Sequence, residues 1–441
     1  MDTARLAGEA PELPDSLWAR IAIPTGHHPA LEGDASADVA IVGAGFAGAS
    51  AALALAREGA RVVVVDAAEP GWGASGRNNG QVIPGLKFDP DELEARFGAE
   101  RGARLAAWAG ALPDTVFEVI AREGISCHAV RNGWIQPAYT RRAVAAIEAR
   151  CAQWARRGAP VSMIEPSRLA DTLGTPAYLA AWIDRRGGTI DPLSYSRGLA
   201  IAAQAAGAAL HARTPALALA RDGRGWTLTT TGGRIRAPKV FIATAAYADD
   251  LVPGLRRSIV PVRTAQVATA PLPEKHLRAI LPGRQGASDT RRLLTSFRIS
   301  PDGRLVMGGA WATGSLGHSH LLPHLHRAGA ELFGHLGSLQ WELGWSGYFP
   351  VTSDHLPRVH ETADGLICAL GCNGRGIALS TAMGAMVAGR MLGARADELP
   401  LAPVPMRAVA FHEFRRPGIA VATRVKGLQD RLERAATRRP R

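Results

Sequence analysis

Three glycines and one acidic residue form the pattern in this sequence that is best suited to chemistry. The apolar run Val39 to Val42 leads into Gly43, Gly45 and Gly48, and an Ala- and Leu-rich segment then leads to a second apolar run that ends at Asp66. In a strand, turn and helix unit, the first glycine permits a tight turn, the second lets the backbone approach a pyrophosphate, and the third lets the helix pack closely on the strand. A carboxylate at the end of the second strand can accept hydrogen bonds from a ribose. The pattern predicts dinucleotide binding, whereas a purely structural turn would leave Asp66 without a role.

Two further glycine-rich stretches have the composition of binding loops. Gly71 to Gly85, with the sequence GWGASGRNNGQVIPG, is too rich in Gly, Ser and Asn for a helix or strand, and it follows the nucleotide pattern directly. Gly365 to Arg390 has the pattern of a strand, a glycine loop and a helix, but no strand-ending acid follows it, which disfavours a separate NAD site. Backbone N–H groups at that helix N-terminus would stabilise negative charge on a reduced flavin. A plain strand-to-helix turn is the competing interpretation.

Helical and strand patterns alternate around these loops. A helical pattern covers Asp89 to Arg122 and is expected to break near Pro113, because proline removes a helix hydrogen bond. Gly225 to Ala246 contains two alternating strands and one buried strand, and Leu293 to Gly309 has the pattern of a hairpin. Strands that are interrupted by nucleotide-fold elements predict two interleaved domains.

Composition limits the classes of protein to which the chain can belong. The 441 residues are 47% apolar, enough for a large core, and the net charge is +12 with a pI near 10.3. Only four of the 51 basic residues are lysine, namely Lys87, Lys239, Lys275 and Lys426. The arginines are scattered, which favours a solvated surface over a nucleic-acid face.

The cysteines and the N-terminal segment indicate the compartment. Cys127, Cys151, Cys368 and Cys372 form no CxxC pair and no metal-ligand pattern, so we expect reduced thiols in a cytoplasmic protein and no metal site. The first twenty residues carry acids where a signal peptide would have an apolar core. We expect no membrane span, and the sequence leaves the oligomeric state open.

Four stretches together resemble FAD-dependent oxidoreductases of the D-amino-acid oxidase superfamily, and most resemble the gamma-glutamylputrescine oxidoreductase branch. They are Gly43 to Gly48, Gly73 to Gln81 (GASGRNNGQ), Phe241 to Leu272, and Trp345 to Ser380, which contains WSGYFPVTSDHLPRV and GCNGRGIALS. The resemblance covers the chain from about Trp18 to Gly393.

The resemblance implies an α/β (α+β) fold in which a Rossmann-like FAD-binding domain is interleaved with a β-sheet-based substrate domain. The expected FAD-binding domain comprises residues 36–90, 190–255 and 345–400, and the expected substrate domain comprises 91–189 and 256–344. Residues 1–35 would be a lead-in, with Trp18 as its anchor, and 401–441 a helical segment with a basic tail. The implied reaction is oxidation of a small amine: hydride leaves the carbon next to nitrogen for flavin N5, the imine hydrolyses, and dioxygen reoxidises the flavin to give hydrogen peroxide.

The resemblance also implies which residues bind FAD. The diphosphate turn would comprise Gly43, Ala44, Gly45, Phe46, Ala47 and Gly48, with Asp66 and Ala67 at the ribose and Thr244 and Ala245 nearby. The loop beside the flavin ring would comprise Gly73, Ser75, Gly76, Arg77, Asn78, Asn79, Gly80 and Gln81. The cradle of its pyrimidine edge would comprise Gly371, Asn373, Gly374, Arg375, Gly376 and Ile377. The flavin carries the chemistry, so the sequence assigns no catalytic residue; Gln81, Trp345 and Tyr348 are candidates near the ring.

Three departures from the family pattern limit what the resemblance implies. Gly347 stands where related oxidases have the cysteine that tethers flavin, so FAD is expected to be non-covalent; Cys372 is a less favoured candidate for a tether. Ala378 replaces a lysine that holds a substrate carboxylate, which favours an amine or acylated polyamine over a free amino acid. The hairpin strand Leu305 to Gly309 lacks the lysine that assists dioxygen, so a dehydrogenase that uses a quinone or an electron-transfer protein is the competing interpretation.

The sequence leaves open the roles of several single residues and the class of flavoprotein. Trp311, Trp345 and Tyr348 would either wall an amine pocket or pack at a domain interface. His355 is expected to be a structural histidine rather than a base. Flavoproteins of two different kinds remain open, one associated with tRNA and one that binds flavin without turnover.

Overall fold

The computed structural model describes residues 9–223, 225–312, 322–363 and 365–438. In chain order its strands are β1 Ala35–Ser36, β2 Val39–Val42, β3 Val62–Val65, β4 Gln81–Val82, β5 Trp134–Ala138, β6 Val161–Met163, β7 Ala180–Asp184, β8 Gly188–Thr189, β9 Ala209–His211, β10 Ala216–Asp222, β11 Gly225–Thr230, β12 Arg234–Ala237, β13 Lys239–Ile242, β14 Val260–Thr269, β15 Gly286–Ser288, β16 Thr295–Ile299, β17 Leu305–Ala312, β18 Trp341–Val351, β19 Arg358–Ala363 and β20 Leu366–Leu370. Its helices are α1 Leu17–Ile21, α2 Phe46–Arg57, α3 Pro90–Phe97, α4 Ala99–Glu123, α5 Arg141–Arg156, α6 Leu169–Leu173, α7 Pro192–Ala205, α8 Glu274–Ala279, α9 Leu322–Phe333, α10 Gly376–Met391 and α11 Arg415–Arg438.

A six-stranded sheet with the order β19-β20-β13-β2-β3-β9 carries the nucleotide pattern. Its strands are parallel except for β19 at one edge. Val39 and Ile41 of β2 pack in one core with α2, α7 and α10, while Ala40 and Val42 pack in another with the four-stranded sheet β1-β12-β11-β10. Because both faces are covered, every residue of β2 is apolar and buried.

The second large sheet has eight strands in the order β18-β14-β17-β16-β15-β5-β7-β6. Its pairs are antiparallel apart from β5 and β15. Leu325 and Phe333 of α9 pack in one core with Phe297 and Met307 of this sheet. The mixed α/β fold predicted from the sequence is confirmed, while the domain boundaries stay a prediction.

The predicted helix break near Pro113 is wrong. The chain breaks at Gly98, whose φ of 83° separates α3 from α4, and Pro113 lies inside α4. Proline leaves the carbonyl four residues earlier, that of Ala109, without its helical partner. The N–H of Gly85 donates to that carbonyl at 2.9 Å. Gly85 therefore supplies the hydrogen bond that Pro113 removes. This bond also attaches the glycine-rich stretch Gly71 to Gly85 to α4.

Within the described residues, no helix is both long enough and apolar enough to span a bilayer.

Candidate cofactor and substrate site

Four adjacent strand ends meet at one edge of the parallel sheet. Strand β13 pairs with β2 and with β20, and β2 also pairs with β3, all in parallel. The segments that follow these strands are Gly43–Gly48, Asp66, Thr244–Ala245 and Gly371–Ile377. Parallel strands place their carboxyl ends side by side, which is where open α/β sheets bind ligands.

The turn after β2 has no room for side chains at two of its glycines. Gly43 has a φ of 103°, and a Cβ there would lie 2.9 Å from the carbonyl oxygen of Ala243. A Cβ on Gly48 would lie only 1.8 Å from the carbonyl oxygen of Gly43. The turn and the start of α2 are therefore packed as tightly as backbone allows.

The start of α2 is polar and positive. Gly45 is its N-cap and supplies no side-chain cap, so the first N–H groups of the helix point out of its end. The hydroxyl of Ser75 accepts a hydrogen bond from the N–H of Phe46 at 3.0 Å, and a Cβ on Gly45 would lie 2.8 Å from that oxygen. A recess lined by backbone N–H groups, a hydroxyl and the positive end of a helix dipole fits a diphosphate.

Asp66 braces this turn from the next strand. One carboxylate oxygen accepts from the N–H of Ala44 at 2.7 Å, and the other accepts from the N–H of Ala68 at 2.9 Å. Burial raises the pKa of the Asp66 carboxyl, and the two N–H groups oppose that rise. Each oxygen retains a second lone pair, so the group can still accept from ribose hydroxyls. Ala67, between the two contacts, is exposed.

The loop at residues 73–81 crosses from the parallel sheet to the eight-stranded sheet. A Cβ on Gly73 would lie 3.0 Å from the ring of Tyr247. Asn78 holds the loop in shape by donating to the carbonyl of Ser75 at 2.8 Å and accepting from the N–H of Gly80 at 2.8 Å. Asn79 donates to Gln266 of β14 at 2.8 Å.

The side chain of Gln81 lies in a buried hydrogen-bond network. Its amide donates to Asn79 at 2.8 Å and to the carbonyl of Ala287 at 3.0 Å. Its oxygen accepts from Ser288 at 2.7 Å and from Trp134 at 3.1 Å. These bonds join the loop to the second sheet.

Arg77 is held by partners on both of its sides. Glu9 forms a buried ion pair with Arg77 and a second one with Arg263. The carbonyl of Arg77 accepts from the indole N–H of Trp345 at 2.9 Å, and Trp345 stacks edge-on against Trp18, which is fully buried. Trp18 is thus an anchor for the lead-in.

The two aromatic candidates whose side chains the structure describes are both buried. Trp345 is fully buried, which supports packing rather than a pocket wall. Tyr348 is 6% exposed and lies beneath the guanidinium of Arg263. The side chain of Trp311 lies outside the described residues. His355 is exposed and has a φ of 57°.

The two glycine loops border the same strand. A Cβ on Gly347 of β18 would lie 3.2 Å from Arg77 in one loop, and a Cβ on Gly374 in the other would lie 3.7 Å from Phe349 of β18. Arg375 also donates to the carbonyl of Pro84. Residues 73–81 and 371–377 therefore lie on one side of the molecule, although nearly 300 residues separate Arg375 from Pro84 in sequence.

Comparison with known proteins identifies the family of this chain. The family model described as "DAO: FAD dependent oxidoreductase" matches residues 38–390. The chain belongs to this family. FAD is therefore its cofactor, and the protein is an oxidoreductase with a DAO-type fold.

Relatives of known description cover most of the chain. A probable oxidoreductase, OrdL, of Rhizobium meliloti is 31% identical over 89% of this chain and 92% of its own. The gamma-glutamylputrescine oxidoreductase of Escherichia coli is 27% identical over 90% of this chain and 93% of its own. The crystal structure of glycine oxidase from Geobacillus kaustophilus superposes with a TM-score of 0.71 at 26% identity, covering 85% of this chain and 99% of that chain.

The candidate FAD-binding edge of the parallel sheet adjoins cations that the sequence did not indicate. Lys87 is accessible to solvent, yet desolvation by the surrounding protein, together with repulsion from Arg375, lowers its pKa to about 8. A Cβ on Gly85, two residues before Lys87, would lie 3.3 Å from the guanidinium of Arg375, so the two cations are close, and we call their surroundings the cationic recess. Burial likewise lowers the pKa of Arg375 to about 10, and Arg150 adds to the effect.

Cys372 shares this recess. Burial raises the pKa of its thiol, although Lys87 opposes the rise. A protonated thiol is a poor nucleophile, so Cys372 is not activated for attachment to a flavin.

Lys87 was missed because its neighbours come from the far end of the chain. The available signal was its position two residues after Gly85, in a chain with only four lysines.

Proposed function

We propose that this protein oxidises an amine that also bears a carboxylate, such as a gamma-glutamylated diamine or an N-substituted amino acid. FAD, when bound, supplies the chemistry by accepting hydride at N5 from the carbon next to nitrogen, after which the imine hydrolyses and dioxygen takes the electrons to give hydrogen peroxide. The relatives named gamma-glutamylputrescine oxidoreductase and glycine oxidase support an amine or amino-acid donor.

The recess of Lys87 and Arg375 carries the carboxylate part of this proposal. The charged groups that act on Lys87 are chiefly cations, with Arg375 foremost, while Asp89 and Asp184 act on Arg375, and we infer that the recess favours a small anion. Arg375 is fixed by its bond to the Pro84 carbonyl and by the face of Trp134, 5.8 Å from its guanidinium carbon. Ala378 stands where related oxidases have the lysine that binds the substrate carboxylate. In this proposal Lys87 supplies that cation from another element, so the absence of a lysine at position 378 does not exclude a carboxylate-bearing substrate.

The remaining residues have positioning roles in this proposal. The N–H groups of Gly45, Ala47 and Gly48 would hold the diphosphate, because those of Gly43, Ala44 and Phe46 already donate within the protein. Asp66 would hold the ribose, and the two loops would border the ring without a covalent bond. A neutral amine gives up hydride without a strong base, so the role of base is not assigned to His355.

An anaerobic substrate series tests the proposal. The oxidised-flavin absorbance is followed after addition of gamma-glutamylputrescine, N-acetylputrescine or putrescine, which differ in the presence of a carboxylate and an acyl group. We expect fast bleaching with gamma-glutamylputrescine and slow bleaching with N-acetylputrescine. Equal rates for the two acylated amines would refute a role of the recess in binding the carboxylate. No bleaching with any amine or amino acid would refute the proposed function.

The electron acceptor needs its own measurement. Oxygen consumption with stoichiometric hydrogen peroxide supports an oxidase. Turnover that requires a quinone or a dye, with no oxygen uptake, would show a dehydrogenase in place of the oxidase. The cytoplasmic location expected from the cysteines stays a prediction.

A further inference from the structure

Helix α11 exposes its apolar side chains to solvent. Val421, Val425, Leu428 and Leu432 are 59%, 48%, 54% and 61% exposed, although residues of these types are usually buried. Their spacing of four, three and four residues places them on one stripe of the helix. Phe414, 62% exposed, belongs to the short turn that immediately precedes α11 and lies seven residues before Val421, at the N-terminal end of this stripe. We call these five residues the outer stripe.

The opposite face of α11 is polar and faces the protein. Asp430 and Glu433 accept from Arg292 at 3.3 Å and 2.6 Å, and Arg434 contacts Glu331 of α9 at 2.5 Å. Ion pairs rather than apolar burial therefore hold this helix to the body. In a helix that packs on a core the apolar face points inward, so the reversed orientation of α11 indicates that another apolar phase covers the outer stripe.

The charged residues beside the outer stripe indicate what kind of partner covers it. On the exposed surface Arg424 and Arg431 flank it on one side, and Ala422 and Gln429 flank it on the other. The two acids of α11 that the structure describes, Asp430 and Glu433, already pair with Arg292. The surface offered to a partner is therefore apolar and basic.

A cleft of about 560 Å³ beside α11 adds to this positive charge. It lies between α9, α11 and the start of β16, and its charged lining residues are Arg291, Arg327, Arg424, Arg431 and Arg434, with Glu331 and Asp430. Five arginines against two acids leave a net positive cleft at the edge of the helix. Anionic groups of a few atoms have space there.

A second copy of the chain is a poor match for this surface. Antiparallel pairing along the outer stripe would place Arg424 and Arg431 against the same arginines of the other copy, and like charges repel. Parallel pairing would place them against Ala422 and Gln429, which offer no opposite charge.

We propose that α11 docks this protein on an anionic membrane surface. The outer stripe enters the boundary between headgroups and acyl chains, and Arg424, Arg431 and the adjoining cleft contact lipid phosphates. The helix lies on the membrane and does not span it. Docking would place the protein where lipid-soluble electron acceptors are concentrated.

Co-sedimentation with vesicles tests the proposal on the full-length protein with FAD bound. One set of vesicles is phosphatidylcholine alone, and the other is equal parts of phosphatidylcholine and phosphatidylglycerol. We expect binding to the anionic set only, and weaker binding as salt is added, because salt screens the arginines.

Two double variants separate the apolar and the charged contributions. The double variant Leu428→Asp, Leu432→Asp should lower the partition coefficient at least about tenfold, because each leucine loses its transfer to an apolar phase and an anion is added. Arg424→Glu with Arg431→Glu should lower it while leaving the stripe intact. Leu217→Asp is the matched control, since Leu217 is 50% exposed on β10, and it should bind like the unsubstituted protein. Unchanged FAD content shows that each variant is folded.

Three results would overturn the proposal. They are equal binding to both sets of vesicles, no binding to either set, and a dimer in gel filtration with light scattering that the leucine substitutions dissociate. The last result would assign the stripe to a second copy of the chain.

Discussion

Replacing Lys87 with Met tests the cationic recess most directly. The change removes the ammonium and keeps a side chain of similar length. A hydrogen bond to a charged group contributes about 1.5–3 kcal/mol, which corresponds to a loss of roughly 10-fold to 150-fold in kcat/KM for a carboxylate-bearing amine. Lys87 is accessible to solvent, so we expect the lower half of that range. N-acetylputrescine has no carboxylate, and its kcat/KM should be unchanged.

The pH dependence gives the same hypothesis a second readout. With a pKa of about 8, Lys87 is charged below that pH and loses its charge above it. About nine tenths of the side chains are protonated at pH 7 and about one tenth at pH 9. The ratio of kcat/KM for the unsubstituted protein to that for Lys87→Met, measured on one substrate, should therefore fall about tenfold or less between these pH values. Taking the ratio cancels the ionisation of the substrate.

Stopped-flow reduction of the flavin under anaerobic conditions provides both measurements. Lys275→Met is the matched control, because Lys275 is an exposed lysine on α8. An equal loss for N-acetylputrescine, or a ratio that does not change with pH, would refute a contact between Lys87 and the substrate carboxylate.

Three further predictions concern the cofactor and the loop that borders it. Gly45→Val should lower FAD content, measured as the absorbance ratio of flavin to protein, because a Cβ there meets the Ser75 hydroxyl at 2.8 Å. The control Gly389→Ala in α10, where nothing lies within 4 Å, should retain FAD. Loss of FAD from the control but not from Gly45→Val would contradict the diphosphate site. Glu9→Gln should lower the free energy of unfolding, measured by denaturant titration, by about 3–5 kcal/mol, because it removes the carboxylate from the buried guanidinium of Arg77. The control Glu274→Gln, at an exposed ion pair, should lower it by less than about 1 kcal/mol. Acid precipitation should release FAD into the supernatant from both the unsubstituted protein and Cys372→Ser, because a protonated Cys372 is a poor nucleophile; flavin that stays with the precipitate only when Cys372 is present would show a covalent bond.

Local spacing was sufficient to predict the parts of the site that are built from contiguous residues. The turn from Gly43 to Gly48 depends on backbone conformation and close packing within one strand, turn and helix unit, so its glycines are visible in the sequence. The buried strands β2 and β20 were visible as apolar runs because both faces of the parallel sheet are covered. The DAO family followed from four such local stretches.

Contacts between distant segments decided the rest. The sequence placed a helix break at Pro113, but the amide of Gly85, 28 residues earlier, occupies the carbonyl that the proline leaves free, and α4 continues. Lys87 was not predicted because a lysine's role depends on its neighbours, and Cys372 and Arg375 approach it only when β20 lies beside β13.

Helix α11 shows the same division most clearly. The sequence predicted a helical segment with a basic tail within residues 401–441, because helical periodicity is a local property. Which face of that helix points outward was decided by Arg292 and Glu331, which hold its polar side against the body. Sequence thus predicted the elements and the glycine turn, while the tertiary structure determined which side chains are exposed, since burial and charge depend on residues far apart in the chain.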